Sequence, residues 1–450
     1  MKFREEKDPL GKIKVPQNAL WGAQTQRALE NFPISGQRCD FVLIRSIVLI
    51  KKAAANTNSK LGLLNKIKAN NIIKSCDEIL KGKYNDQFVV DVFHSGAGTS
   101  LHMNVNEVIA NLSHARAHDH VNMAQSTNDV MPSALRISVL QLTPEFLKVL
   151  AEVCKTFNKK GREFSAIIKP GRTHLRDAMP VTLGQEFKAY AAALENDLYR
   201  IRNSADKLRN LGIGGTAVGT GVNSHPKYIN LIIKMLSELT GIKLQTAKNL
   251  QESMQNTSDF LEMSSSLRIL AQNLIRISND LRLLSSGPGT GLNELILPEV
   301  QPGSSIMPGK INPSIIEMLT IVCFQVIGFD QAVFLSSING QLELNVWLPL
   351  IAHNLINQIR LLTNALKIFN QKCLKEVKPN REMINFWLQR STGFTASLNK
   401  YIGYEKAADL LSESIKTGTT VMELAVKKGY LSKQKAKKIF DLKNLIKPNL

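Results

Sequence analysis

The sequence predicts an all-α protein built on long helices that associate through apolar seams. Three stripes of residues carry that prediction. From Met263 to Leu284 apolar side chains recur at Met263, Leu267, Leu270, Leu274, Ile277, Leu281 and Leu284, in alternating steps of four and three. Leu183, Phe187, Tyr190, Leu194, Leu198, Ile201, Ala205 and Leu208 repeat this spacing, and a third stripe runs from Leu350 to Phe369. Helices with such seams are not stable alone. They must bury them against one another or against copies in other subunits. Pro144 falls inside a helical stretch and is expected to kink or end it.

The remaining composition narrows the class. At 450 residues with 44% hydrophobic content, the chain can form two or three structural units around a large core. Met1 to Lys7 is charged and lacks the apolar core of a secretory signal, and no uninterrupted apolar run reaches membrane-spanning length. The five cysteines are scattered without a CxxC pair, which points to a reduced, cytoplasmic protein without structural zinc. The formal charge of +20 has two readings. One is a surface for nucleic acid or an acidic partner. The other is lysine spread over solvated helix faces, and the absence of RGG, helix-turn-helix or RNP-like patterns favours it. A positive field also attracts a small dianion.

Polar, Gly-rich punctuation separates the helices at 95–100, 125–129, 171–180, 214–226 and 285–313. Such loops at helix ends are where function concentrates. We expect a mostly helical N-terminal domain over 1–124, a long-helix domain over 125–380 and a small helical C-terminal domain over 381–450. The densest signal is Gly303-Ser304-Ser305-Ile306-Met307-Pro308-Gly309-Lys310-Ile311-Asn312-Pro313. Glycines and prolines at both ends set fixed bends and mobile joints. Two hydroxyls, an ammonium and an amide lie between them, a set suited to a lid that delivers a base, a cation and a donor together.

This string resembles the signature of the aspartase/fumarase superfamily. Further matches follow in order: Val15-Pro16 through Trp21 to Arg27, Gln125 to Asp129, Gly171-Arg172-Thr173-His174-Leu175, and Gly214 to Gly221. Together they extend over about residues 8 to 430. The resemblance implies three α-helical domains whose long central bundle forms a twenty-helix tetramer core. It implies active sites built from three subunits, and anti-elimination through an aci-carboxylate. It makes Ser304 the base, Lys310 and Asn312 a carboxylate site, Thr173 and His174 contacts for the other end of the substrate, and Glu317 the partner that orients His174. Thr99, Ser100, Ser126, Thr127 and Asn128 supply hydroxyl and amide partners. For the 126–129 segment, capping of the following helix is an alternative role that can coexist with binding. The chemistry needs these groups. Loss of a proton next to a carboxylate loads a second negative charge onto it, so preorganised donors must hold that charge, and a serine serves as base only where its oxyanion is stabilised. No cofactor, metal, nucleic acid or membrane partner is expected.

Within the superfamily, Gly96 to Ser100, Ser285 to Pro288 with Gly291 to Glu294, and Gly340 to Leu342 resemble aspartases, which implies release of ammonia from L-aspartate to give fumarate. Trp21 to Gln26 and Gly214 to Gly221 resemble class II fumarases, which exchange water with L-malate. A catalytically inactive member that binds or builds is a third reading, and the joint presence of Ser304, Lys310, Asn312, His174 and Glu317 argues against it. The chain departs from the family pattern at His102, where asparagine is usual, at Arg176 and Gly289, and in the loop 112–120, which is about ten residues short.

Overall fold

A computed structural model describes residues 2–441 and 446. Helices dominate it, as the seams require. The long ones are Phe41–Lys60, Thr127–Glu163, Leu183–Lys207, Ser258–Leu284, Ser314–Ser337 and Leu348–Lys372. Every residue of the Met263–Leu284 seam is buried, and so is the Leu183–Leu208 seam apart from half-buried Leu198. The chain divides into two compact units.

The first unit comprises Met1–Lys148, Tyr199–Ala271 and Cys323–Thr363. Its helices are joined by polar contacts as well as apolar ones. Arg136 pairs with Asp259 at 2.7 Å, the Ser204 and Ser266 hydroxyls meet at 2.7 Å, and the Gln358 amide donates to the Val326 carbonyl at 3.0 Å. Asp330, buried on the helix Ser314–Ser337, accepts from Ser264 at 2.6 Å and pairs with Arg268. By length and composition that helix is apolar enough to cross a membrane, although its most apolar window is only 33% buried. Ile321, Phe324, Phe334 and Leu335 stand exposed on it.

The second unit comprises Val149–Leu198, Gln272–Val322 and Asn364–Leu450. An aromatic cluster fills it: Phe157 lies 5.9 Å from both Phe187 and Tyr190 and 6.2 Å from Phe369. The Tyr190 hydroxyl donates to Asp280 at 3.1 Å. Toward the C-terminus, short helices at Tyr404–Thr417, Val421–Lys427 and Lys433–Ile439 close around Leu398, Leu410, Leu424 and Ile439 as a small core.

Two differences from the sequence reading stand out. The helix Thr127–Glu163 runs through both Pro132 and Pro144, so Pro144 does not end it. The lost donor costs about 3 kcal/mol, and the buried Phe146, Val149, Leu150, Val153 and Phe157 that follow more than offset this. The stretch 171–180, read as a loop, is largely a hairpin: Ile168–Thr173 pairs antiparallel with Arg176–Thr182. Gly171 permits it, because a Cβ there would collide with the Met179 carbonyl.

Leu267 is fully buried at the centre of its seam. Leu267→Ala should destabilise the protein by about 2–5 kcal/mol, read as a lowered midpoint in chemical denaturation, and an unchanged midpoint would contradict the buried seam.

Candidate active site

In the first unit two helix starts meet. A left-handed turn at Ala97 and Gly98 launches the helix Thr99–Ser113, and Thr127 begins the helix Thr127–Glu163. The Thr99 and Thr127 hydroxyl oxygens lie 3.3 Å apart. Both helices therefore turn their positive ends toward one place, which favours an anion there. Ser126 and Asp129 cap the second helix reciprocally. The Ser126 Oγ accepts the Asn128 N–H at 3.2 Å, and the Asp129 carboxylate accepts the Ser126 N–H at 2.9 Å. Asp129 also accepts the N–H groups of Gly214 at 2.9 Å and Thr216 at 3.1 Å, and so anchors the glycine-rich 214–221 segment. Its burial pushes the carboxyl up to about 6, against the pull of those donors and of Lys51.

The direction of the hydrogen bonds here has chemical content. The Asn128 Nδ2 donates to the Ala217 carbonyl at 2.8 Å, which turns its Oδ1 outward as an acceptor. The Thr99 hydroxyl spends its proton on the Gly96 carbonyl at 2.7 Å, which leaves its oxygen an acceptor as well. Ser100 follows Thr99, half-buried in the first helical turn.

In the second unit the loop 303–313 is pinned at its neck. The Gly303 N–H donates to the Lys310 carbonyl at 2.8 Å, and the Asn312 Nδ2 donates to the Gly303 carbonyl at 2.6 Å. A Cβ on Gly303 would press on the Asn312 backbone N–H and the Lys310 carbonyl. One amide hydrogen of Asn312 is thus committed to the loop and one remains for a ligand. Beyond the neck the Ser304 Oγ accepts the backbone N–H of Met307 at 2.9 Å and of Ile306 at 3.2 Å. These are the donors that a serine oxyanion needs. Lys310, Asn312 and Glu317 line one cleft of about 490 Å3 together with Arg282.

Thr173 and His174 sit exposed at the tip of the hairpin. His174 and Leu175 form its two-residue turn, with φ of 53° and 58°. Such a turn ordinarily takes Asn-Gly, because both central residues adopt positive φ. Its strain holds the imidazole out from the tip, the kind of cost met at functional sites. Glu317 meets Arg282 at 3.7 Å, and among the described residues of one chain it makes no hydrogen bond with His174.

Several groups that build these sites escaped the sequence reading. Glu294, fully buried, binds Arg172 at 2.7 Å and Lys169 at 3.1 Å, and Lys169 also meets Glu186 at 2.9 Å. This cluster ties the base of the His174 hairpin to the 285–294 segment. Arg172 and Glu294 both stand inside strings that were singled out, so a buried counter-ion pair was the available signal. Lys51 lacked one, since its partners are far away in sequence. Among the described residues no group of three or more His, Cys, Asp or Glu side chains gathers that could hold a metal.

Residues 11–328 match a family model described as lyase, and residues 395–447 match the fumarase C C-terminus. The chain belongs to this lyase family. The lyase is 43% identical to an aspartate ammonia-lyase of Bacillus sp., with 99% of this chain and 98% of the relative covered. It is 41% identical to a class II fumarate hydratase of Helicobacter pylori over all of both chains. Its structure is similar to that of a class II fumarase from Schistosoma mansoni, with a TM-score of 0.97, 34% identity and full coverage of both chains.

Removing the Glu294 charge takes from Arg172 its carboxylate partner and leaves buried Lys169 with Glu186 alone. Glu294→Gln should therefore destabilise the lyase by about 3–5 kcal/mol. Urea unfolding checks this, and a cost near zero would show that the cluster does not hold the hairpin.

Proposed function

We propose that this lyase is an aspartate ammonia-lyase, a cytoplasmic homotetramer that converts L-aspartate reversibly to fumarate and ammonia without a cofactor. The observation that carries the choice of leaving group is the paired locking of Thr99 and Asn128 as acceptors. An ammonium group has only donors to offer and needs acceptors around it. The identity to the Bacillus relative supports the same reading. A specific observation favours the second reading, a class II fumarate hydratase: the Helicobacter relative matches over its whole length at 41% identity.

In the proposed reaction Ser304, as alkoxide, takes a proton from the carbon adjacent to one substrate carboxylate. The C–H electron pair moves into that carboxylate and forms the aci-carboxylate dianion. The pair then returns to make the carbon–carbon double bond, and the neighbouring C–N bond breaks with its electrons leaving on nitrogen as ammonia. The N–H groups of Ile306 and Met307 stabilise the Ser304 oxyanion. Lys310 and the free amide hydrogen of Asn312 hold a carboxylate with charge-assisted hydrogen bonds. Thr173 and His174 contact the other end, and Ser100, Ser126, Thr127 and Asn128 complete the polar lining.

The site is assembled from three subunits, and Glu317 orients His174 between copies of the chain. Two features support this. Glu317 and His174 do not meet within one chain, and the helix Ser314–Ser337 carries an uncovered apolar face that other copies would bury. A His–Glu pair made in this way favours the charged imidazole.

Fumarate absorbance with L-aspartate and L-malate offered separately tests the leaving group. Fumarate from aspartate alone is expected, and fumarate from malate alone would transfer the assignment to the hydratase. Ser304→Ala should lower turnover by about 10²–10⁴-fold with the oligomer intact by light scattering, and an undiminished rate would remove Ser304 as the base.

A further inference from the structure

Behind Thr127 lies a buried chain of hydrogen bonds that the proposed reaction does not use. The Lys51 side chain is fully buried. Its Nζ contacts three acceptors: the Asn122 Oδ1 at 2.9 Å, the Gln125 Oε1 at 2.9 Å and the His102 Nε2 at 2.5 Å. Three donors of an ammonium meet three acceptors, so the set is complete for the charged form. His102 is buried too. Its Nε2 faces a second donor, the Asn106 Nδ2, at 3.5 Å. With donors on that side, Nε2 must accept, and the ring proton must sit on Nδ1. The Nδ1 lies 2.8 Å from the Thr127 Oγ1, so His102 donates to Thr127. The Thr127 hydroxyl then has a lone pair engaged from behind, so its own proton points away from His102, toward the Thr99 Oγ1 at 3.3 Å or a ligand.

We infer that Lys51 and His102 are positioning residues that fix Thr127 as a hydrogen-bond donor toward a substrate carboxylate. The inference rests on the proposed lyase reading and deepens it. Thr99 and Asn128 are set as acceptors, Thr127 is set as a donor, and the two helix starts present an ordered pattern that fits an amino group beside a carboxylate. Burial, with the nearby charges of Lys51 and His118, holds His102 far below the usual imidazole range. The ring is therefore neutral and carries a single proton, so its tautomer decides the direction of the relay. Burial also pushes Lys51 down to about 7, and Asp129 and Cys76 oppose that shift.

Two substitutions in the full chain separate positioning from packing. His102→Asn keeps an N–H at the Nδ1 position. His102→Asp puts an acceptor there while keeping a partner for Lys51, so it reverses the hydrogen bond to Thr127. Succinate, a dicarboxylate with no leaving group, serves as the equilibrium probe, and turnover gives kcat and KM. His102→Asn should hold succinate within about threefold of the wild-type affinity. His102→Asp should weaken it by about tenfold or more, as expected for losing a hydrogen bond to a charged group, and raise KM more than it lowers kcat. Equal succinate binding by both variants, or losses that merely track their unfolding temperatures, would overturn the relay. So would a wild-type protein that does not bind succinate. A wild-type protein that binds succinate but forms fumarate from neither aspartate nor malate sinks the lyase reading instead, and the comparison of the two variants still decides the relay.

Discussion

Three backbone N–H groups from two distant segments converge on the buried carboxylate of Asp129, and the geometry of the first unit's polar cluster depends on that convergence. A buried carboxylate is costly unless its lone pairs are filled. Here the filling is done by the chain itself, from Ser126 on one side and from Gly214 and Thr216 on the other. The start of the helix Thr127–Glu163 and the glycine-rich segment are thereby held in one register. The Ala217 carbonyl arrives where it can take the Asn128 amide proton, and Asn128 turns its oxygen outward as a result. The buried Lys51 is the complementary charge: it lowers the carboxyl of Asp129, and Asp129 raises its ammonium. Neither group needs to touch a ligand to matter. Together they set which atoms of Thr127 and Asn128 give and which receive.

The second unit solves a related problem by a different route. Its hairpin tip takes the unfavourable positive φ of His174 and Leu175, and a tip of this kind holds its shape only if the strands below are firmly anchored. Glu294 provides the anchor, joined to Arg172 on one strand and to Lys169 at the other end of that same strand. The Glu294 backbone is fixed as well, since its N–H donates to the Leu284 carbonyl and its own carbonyl accepts the Asn380 N–H. The strain at His174 and the buried ion cluster thus belong to one device. The serine loop uses a simpler one, a glycine neck at 303 whose missing Cβ lets Asn312 and Lys310 close over it.

The all-α class was legible because period-3.5 seams survive averaging over many residues, and the structure buries them as the spacing requires. The motif strings were legible for a similar reason: each concentrates small polar residues, and the structure brings two of them together where Thr99 meets Thr127. The sequence reading failed where local and long-range energies compete. Pro144 reads locally as a kink or an end, and of these the end does not occur, because the buried aromatic and aliphatic residues beyond it keep the helix continuous. The hairpin at 168–182 has no clean alternation to betray it, because its pairing depends on Gly171 and on a cluster contributed by Glu294, more than a hundred residues away. The Lys51–His102–Thr127 chain was invisible for the same reason. Its members lie on three separate segments; Thr127 was flagged as a hydroxyl partner and His102 as a departure from a familiar pattern, neither as a member of a network with Lys51.

One constraint reaches beyond a single chain. The helix Ser314–Ser337 is apolar enough by composition for a lipid setting, yet Asp330 lies buried on it and is bound to Ser264 and Arg268. Its exposed residues Ile321, Phe324, Phe334 and Leu335 are large and apolar, and an aqueous surface rarely retains so many on one helix. The seam arithmetic of the neighbouring helices offers a consistent answer, since seams of this kind are built to bury against other helices rather than against lipid. The proposed tetramer covers the same face and also brings Glu317 of one copy toward His174 of another. Stability and chemistry then make the same demand on the assembly: Glu317 stands in the first turn of the helix whose apolar face needs covering, immediately after the serine loop. A substitution that loosens this face therefore acts on the site through assembly, even where it touches no substrate atom.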